Sequence, residues 1–352
     1  MKASMTKPTP NSIKILADAT LPHLTELFPK PFTLTRYKTS GQIPDLLTDQ
    51  TILVCRSTLR VNATLLANSN IQCVTTASSG IDHIDEAYLN QHHITLFDAK
   101  GSNARAVADY VVATIAALHR LRLPMGALAG VVGIGEVGTR VVERLQAAGF
   151  NVICYDPFKY SHGTLADLTA CDLLCLHPNL HESQPFPSKH LINADFLNQL
   201  KSGVVIINAS RGGIVDENAL LASNKPILYC TDVYNNEPSI DSRIIDFATL
   251  CTPHIAGHSI EAKQNAVAQI SQKIHQHYGL ISPPLELSMP ITHVSPCNQW
   301  QDLVLSLYNP MDDTEQLKAA VDKKNAFLKQ RLAHQFRHDF NRYRFAAVTH
   351  KN

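Results

Sequence analysis

Residues 130–138 read G-V-V-G-I-G-E-V-G, an apolar run broken by three glycines, and residues 140–145, R-V-V-E-R-L, continue as an amphipathic helix. Residues 151–156, N-V-I-C-Y-D, form a second apolar run that ends in Asp156. Strand, glycine turn, helix and strand within about thirty residues make a βαβ unit, and a parallel pair of this kind needs a crossover and a sheet covered on both faces. A lone G-x-G-x-x-G is a weak signal, but here the strand before it, the helix after it and an acidic residue about twenty positions on all agree with a dinucleotide site. Gly133 makes the tight turn, Gly135 lets the backbone approach a pyrophosphate, and Gly138 allows close helix packing; Glu136 and Val137 lie between them in the first turn. The helix N-terminus receives the negative charge. Asp156 can accept hydrogen bonds from ribose hydroxyls and repels a 2′-phosphate, so NAD is expected in preference to NADP.

Other β-rich runs lie on both sides of this unit. Residues 13–17, 51–55 and 71–75 precede it, and residues 173–176, 204–208, 227–231 and 249–252 follow it, with helical or turn-rich stretches between. The alternation predicts two parallel α/β layers, which 352 residues with a 45% apolar fraction can fill. Residues 103–121 carry Ala, Val and Ile on most faces, which predicts a helix buried nearly all round at a domain border, a common place for dimer contacts.

Three motifs follow strand ends in the second half: N-A-S-R-G-G at 208–213, D-V-Y-N-N-E-P at 232–238 and T-P-H-I-A-G at 252–257. Ligands bind beyond the carboxyl ends of strands in an open α/β sheet, so the motifs converge on one edge. Oxidising the hydroxyl of a 2-hydroxy acid needs a cation for the carboxylate, a base for the hydroxyl proton and a carboxylate to orient that base. Arg211, His254 and Glu237 are those types. Taken singly, each reads as a surface ion-pair partner or a structural histidine; three at successive strand ends do not.

Several classes are excluded. A net charge of +1 gives no general attraction to nucleic acid or an anionic membrane. There is no signal-peptide pattern and no run apolar enough to cross a bilayer, so a soluble, cytoplasmic protein is expected. The eight cysteines are scattered, several within apolar runs, and the 17 histidines form no ligand-spaced motif, so no metal is expected. Cys171 and Cys175 are read as core.

The fingerprint with Asp156, followed in order by the three motifs, resembles the D-2-hydroxyacid dehydrogenase family. Further runs, V-C-R-S at 54–57, R-V-N at 60–62, A-S-S-G-I-D-H-I-D-E-A-Y at 77–88 and G-S-N-A at 101–104, are similar to one branch of it, as are a short link at 121–130 and an extra C-terminal segment after Pro284. The resemblance implies an α/β fold: a Rossmann doubly wound parallel sheet at 99–257 for NAD, a discontinuous flavodoxin-like substrate domain at 1–98 and 258–282, and a small α+β dimerisation domain at 283–352. By the same resemblance, Arg211 binds the carboxylate and C2 oxygen of the substrate, His254 takes the hydroxyl proton and Glu237 holds His254. Asp232 contacts the nicotinamide end, Gly257 borders it, and Pro178 stands where the branch has a Thr-Pro or Val-Pro cofactor contact. Ser57 and Ser78 match substrate contacts, and His258 replaces a substrate-touching tyrosine. Arg337, on the C-terminal segment, is read as solvated, with a phosphate contact as the alternative.

The implied activity is NAD-dependent oxidation of a small phosphorylated 2-hydroxy acid by a homodimer, with a 2-oxo acid as a candidate electron acceptor. The alternatives are a family member acting on phosphoglycerate, glyoxylate or hydroxypyruvate, and an NAD-sensing binding protein of corepressor type on the same scaffold.

Overall fold

The structure, a computed structural model, describes residues 13–159, 163–285, 293–294, 297–334 and 337–345. Residues 1–12, which the sequence reading leaves as a loose tail, lie outside the described residues. The described residues of 1–103 and 261–290 form one compact unit and those of 104–260 and 291–352 the other.

The first unit is a parallel sheet of β1 (Ile13–Asp18), β2 (Phe32–Tyr37), β3 (Ile52–Cys55), β4 (Cys73–Thr76) and β5 (Thr95–Phe97), in the order β2-β1-β3-β4-β5. Its central strands β3 and β4 are buried at every residue, because helices cover both faces. The two-residue period sorts the side chains: Ile13, Ile15, Ala17, Ile52 and Val54 pack on one face with Ala266, Val267, Ile270 and Ile274 of the Ile260–His277 helix. Leu16, Leu53, Cys55 and Val74 pack on the other with Ile43, Leu47 and Leu66. The chain therefore returns after residue 260 to finish the first unit. Strands β2 and β5 stand where the sequence reading has only helical or turn-rich connections. Both are edge strands, one with a partly exposed pattern and one only three residues long, so neither shows the continuous apolar run that marks the centre of a sheet.

The second unit is a six-stranded parallel sheet of β6 (Leu128–Val132), β7 (Asn151–Tyr155), β8 (Leu173–Leu176), β9 (Val204–Asn208), β10 (Ile227–Thr231) and β11 (Leu250–Cys251), in the order β11-β10-β9-β8-β6-β7. The strand order reverses between β6 and β8. Register aligns every strand end: Tyr155 pairs with Val132, Val132 with Leu176, Leu176 with Asn208, Asn208 with Thr231, and Thr231 with Cys251. The next residues, Asp156, Gly133, His177, Ala209, Asp232 and Thr252, accordingly leave the sheet in one row. All four sequence motifs pass through or start in this row.

The Ala104–Arg120 helix buries 14 of its 17 residues. Its apolar surface is met within the unit, by Val141 and Leu145 of the Glu136–Ala147 helix and by Val304, Leu305 and Tyr308 of the C-terminal segment. The burial expected from the sequence is thus supplied within the unit. The C-terminal segment folds as helices Trp300–Leu307, Pro310–Ala319 and Lys323–Ala333, with a short parallel pairing of His293–Val294 and Arg344–Phe345. Leu317 and Phe327 enter a core of the second unit, so the described part of this segment shares that unit's cores where the sequence reading sets it apart as a third domain. All eight cysteines are among the described residues, and none is disulfide-bonded. Among the described residues no helix is long and apolar enough to cross a membrane.

Candidate active site

The glycine turn is built by close contact. Gly133 has φ +82°, and a Cβ there would lie 2.7 Å from the Pro178 nitrogen, so the turn sits against the His177–Pro178 backbone where the strand order reverses. A Cβ on Gly138 would stand 2.0 Å from the Gly133 carbonyl oxygen. Gly135 differs: it caps the helix, and a Cβ there would meet nothing within 4 Å. Open space over a helix N-terminus whose first N–H groups lack intrahelical partners suits a pyrophosphate. Asp156 holds the loop from the neighbouring strand, its Oδ2 accepting from Ile134 N at 2.9 Å and its Oδ1 from Phe158 N at 3.1 Å. The turn formed by Gly133, Gly138 and Asp156 against Pro178, with open space at Gly135, thus leaves room for a dinucleotide. Gly138→Ala is expected to weaken NADH binding at least about tenfold, because an overpacked turn must open by the equivalent of more than 1 kcal/mol. A fluorescence titration with unchanged affinity would refute this.

The three downstream motifs knit into one another. Asn208, 1% exposed at the end of β9, accepts from Ser210 N and Oγ through Oδ1 and donates from Nδ2 to the Arg211 carbonyl, which fixes the turn that carries Arg211. The Arg211 guanidinium donates from Nη1 to the Ser210 carbonyl at 2.7 Å. Gly212 then passes so close to the next motif that a Cβ would lie 1.9 Å from the Tyr234 carbonyl oxygen. Tyr234 in turn donates its N–H to Glu237 Oε1 at 3.0 Å and its hydroxyl to the Thr252 carbonyl at 2.9 Å.

His254 Nδ1 lies 2.7 Å from Glu237 Oε2. Since a carboxylate can only accept, Nδ1 carries the proton, and Nε2 is the nitrogen left to exchange one. The histidine and glutamate side chains are 31% and 20% exposed, so the pair is shielded but reachable. Burial pushes the Glu237 carboxyl up, yet the charge and hydrogen bond of His254, the Tyr234 N–H and the charge of Arg331 together hold it below its ordinary range. A depressed carboxylate adds stability that is fully present above its ordinary pKa of 4.5 and is lost as pH falls through the lowered value. Glu237→Gln should therefore flatten the acid limb, so that thermal midpoints of variant and wild type converge between about pH 5 and about pH 3. A constant gap across that window would count against the pairing.

Asp232, expected at the nicotinamide end, is wholly buried. Its Oδ1 accepts from Thr252 Oγ1 at 2.7 Å and from Ile255 N at 2.7 Å, and its Oδ2 from Ala256 N at 2.8 Å. Burial raises its pKa against the opposing His254 charge and these hydrogen bonds. In this structure Asp232 holds the loop that ends at Gly257 and carries His254 at φ +56°, a left-handed backbone that costs a non-glycine residue about 1–3 kcal/mol. Tyr110 of the long helix donates to Thr252 Oγ1 at 2.8 Å and extends the support. Sequence reasoning assigned no role to Tyr110, Asn208 or Thr252; the last two stand inside quoted motifs, but a tyrosine 142 positions away leaves no local signal.

Ser57 and Ser78 come together in the first unit, just past the ends of β3 and β4, where Ser57 N donates to Ser78 Oγ at 3.0 Å. His258 belongs to the second unit, and its ring lies 6.3 Å, centroid to centroid, from that of His334 on the C-terminal segment. Arg337 is not solvated as expected: it is 6% exposed and bonded to backbone carbonyls.

Residues 115–256 match the family described as D-isomer specific 2-hydroxyacid dehydrogenase, NAD binding domain. A curated relative from Legionella pneumophila, named erythronate-4-phosphate dehydrogenase, is 52% identical over 337 residues, covering 94% of this chain and 96% of the relative. One of the same name from Coxiella burnetii is 35% identical and covers 88% of each. Among solved structures, the TT0316 protein of Thermus thermophilus matches with a TM-score of 0.64 at 20% identity, over 77% of this chain and 98% of that one. An NAD+-bound 3-phosphoglycerate dehydrogenase from Entamoeba histolytica matches with a TM-score of 0.63 at 20% identity, over 79% and 100%. These two likenesses show the fold.

Proposed function

The chain belongs to the D-2-hydroxyacid dehydrogenase family, as an NAD-dependent oxidoreductase of CH–OH groups, and from that premise we propose that it is an erythronate-4-phosphate dehydrogenase. The reaction is oxidation of 4-phospho-D-erythronate to 3-hydroxy-2-oxo-4-phosphooxybutanoate, a step toward pyridoxal 5′-phosphate. The observation that carries the chemistry is the 2.7 Å contact of His254 with Glu237, on a loop two strands from the Arg211 turn and tied to it through Tyr234 and Gly212.

Arg211 takes the substrate carboxylate and the C2 oxygen with its planar fork. His254 Nε2 accepts the C2 hydroxyl proton, while Glu237 keeps the opposite nitrogen protonated and offsets the positive charge that develops. NAD, when bound, supplies the acceptor for the hydride that leaves C2 with its electron pair. Asp232 acts on this step through the loop, and Gly257 borders the nicotinamide end. Ser57 and Ser78 are proposed substrate contacts, the Ser78 hydroxyl keeping its proton to donate to a phosphate or carboxylate oxygen. His258 is proposed as a third, in the tyrosine position of the branch. A homodimer in the cytoplasm, with a 2-oxo acid as final electron acceptor, completes the reading.

The test is oxidation of 4-phospho-D-erythronate by the purified protein with NAD and 2-oxoglutarate, followed by mass spectrometry beside D-3-phosphoglycerate and unphosphorylated D-erythronate. Preference for the phosphorylated erythronate is the expected result. Preference for phosphoglycerate would move the substrate elsewhere in the family, and no turnover of any of them would favour a binding role.

A further inference from the structure

We propose that Arg337 is a positioning residue for hydride transfer: from the C-terminal segment it clamps the backbone of the loop that carries His254. The proposal rests on the reading of His254 as the base. Arg337 Nε donates to the His258 carbonyl at 3.1 Å, and Nη2 donates to the carbonyls of Ala256 at 2.5 Å and Ala106 at 3.3 Å. The Arg337 carbonyl accepts from Ile260 N at 2.9 Å. Its guanidinium carbon stands 4.4 Å from the centroid of the Tyr308 ring, an aromatic face that favours a cation.

The loop is therefore gripped from two sides. Asp232 receives the N–H groups of Ile255 and Ala256, and Arg337 takes the carbonyls of Ala256 and His258. An anion on the donors and a cation on the acceptors over-determine a peptide that begins at a left-handed histidine, and such a backbone persists only where its surroundings do that. Three carbonyls spread around one planar group suit a guanidinium; an ammonium, a compact point charge, does not match them. The segment carrying Arg337 is itself fastened nearby: Phe340 N donates to Asp109 Oδ2 at 2.7 Å, and Arg144 Nη2 donates to Asp109 Oδ1 at 2.6 Å. Docking of the C-terminal segment and placement of the catalytic base are in this way one event.

The experiment compares wild type with Arg337→Ala, Arg337→Lys and Arg337→Gln by steady-state kinetics and by amide deuterium exchange of the peptide spanning residues 252–259. Arg337→Ala is expected to lower kcat about 10²-fold, the usual cost of displacing a catalytic group by an ångström, with KM for NAD changed less than about threefold. Exchange at Ile255 and Ala256 should rise, and added ethylguanidinium should restore turnover in a saturable manner where ethylammonium does not. Lysine should rescue little. If Arg337→Ala does not fold, Arg337→Gln, which keeps two N–H donors and most of the bulk, carries the same measurements; failure of both to fold would overturn a positioning role in favour of a purely structural one. A folded variant with kcat near wild type, or with unchanged exchange at residues 255–256, would overturn the clamp. Absence of turnover by the unaltered protein counts instead against the function proposed above, since the exchange measurement needs no substrate.

Discussion

His254→Asn is expected to lower kcat by about three orders of magnitude, within the range that a positioned general base contributes, and to leave NADH affinity within about twofold. Asparagine is the informative replacement because residue 254 sits at φ +56°, a left-handed backbone that asparagine adopts more readily than alanine, so folding is less confused with catalysis. The amide retains a donor for Glu237 but cannot accept a proton near neutral pH. Without His254, burial acts on the Glu237 carboxyl with less opposition, so its pKa rises and the acid limb of stability moves to higher pH. Steady-state rates and an NADH fluorescence titration check both halves. A rate within tenfold of wild type would remove His254 from the chemistry.

Arg211→Met should lower kcat/KM by about 10²- to 10³-fold, because truncating one member of a shielded charge pair costs about 3–4 kcal/mol. The backbone there does not rest on the guanidinium alone: beside its bond to the Ser210 carbonyl, Asn208 holds the Arg211 carbonyl, and Gly212 packs against Tyr234 whatever the side chain of 211. The loss therefore reports substrate contact and not a rearranged turn. Arg211→Lys should recover little of it, since a carboxylate beside the C2 oxygen asks for a planar fork with several donors. Kinetics on the phosphorylated 2-hydroxy acid, with NAD saturating, decide the matter. A lysine variant within tenfold of wild type would show that charge alone suffices.

The local chemistry was legible in the sequence where a constraint acts over a few residues. The glycine turn is such a case, because the approach of Gly138 to Gly133 and the turn at Gly133 permit no other residue at either position. Arg211, Glu237 and His254 were legible as chemical types at strand ends. What the sequence concealed is the support. Asp232 reads as a ligand contact, yet its three hydrogen bonds to the 252–256 loop arise from the in-register ending of β10 and β11, which no local pattern declares. Arg337 reads as solvated because a basic residue near a chain end usually is, and only the long-range packing of the C-terminal segment makes it a buried donor. The edge strands β2 and β5 escaped for a different reason, since an edge carries little of the apolar continuity by which a buried strand is known.

The cysteines give the molecule a chemical clock. Burial pushes the thiols of Cys55, Cys73 and Cys230 up to about 12 and those of Cys171 and Cys251 up to about 11, and it raises Cys175 further. A thiol held that far from its thiolate is inert toward maleimides and disulfide reagents until the chain around it opens. Cys55 and Cys73 lie in the first unit and Cys171, Cys175, Cys230 and Cys251 in the second, while Cys297 is exposed. Pulsed alkylation followed by peptide mapping would therefore time the opening of each unit separately in the unmodified protein, with Cys297 as the internal standard for reagent access.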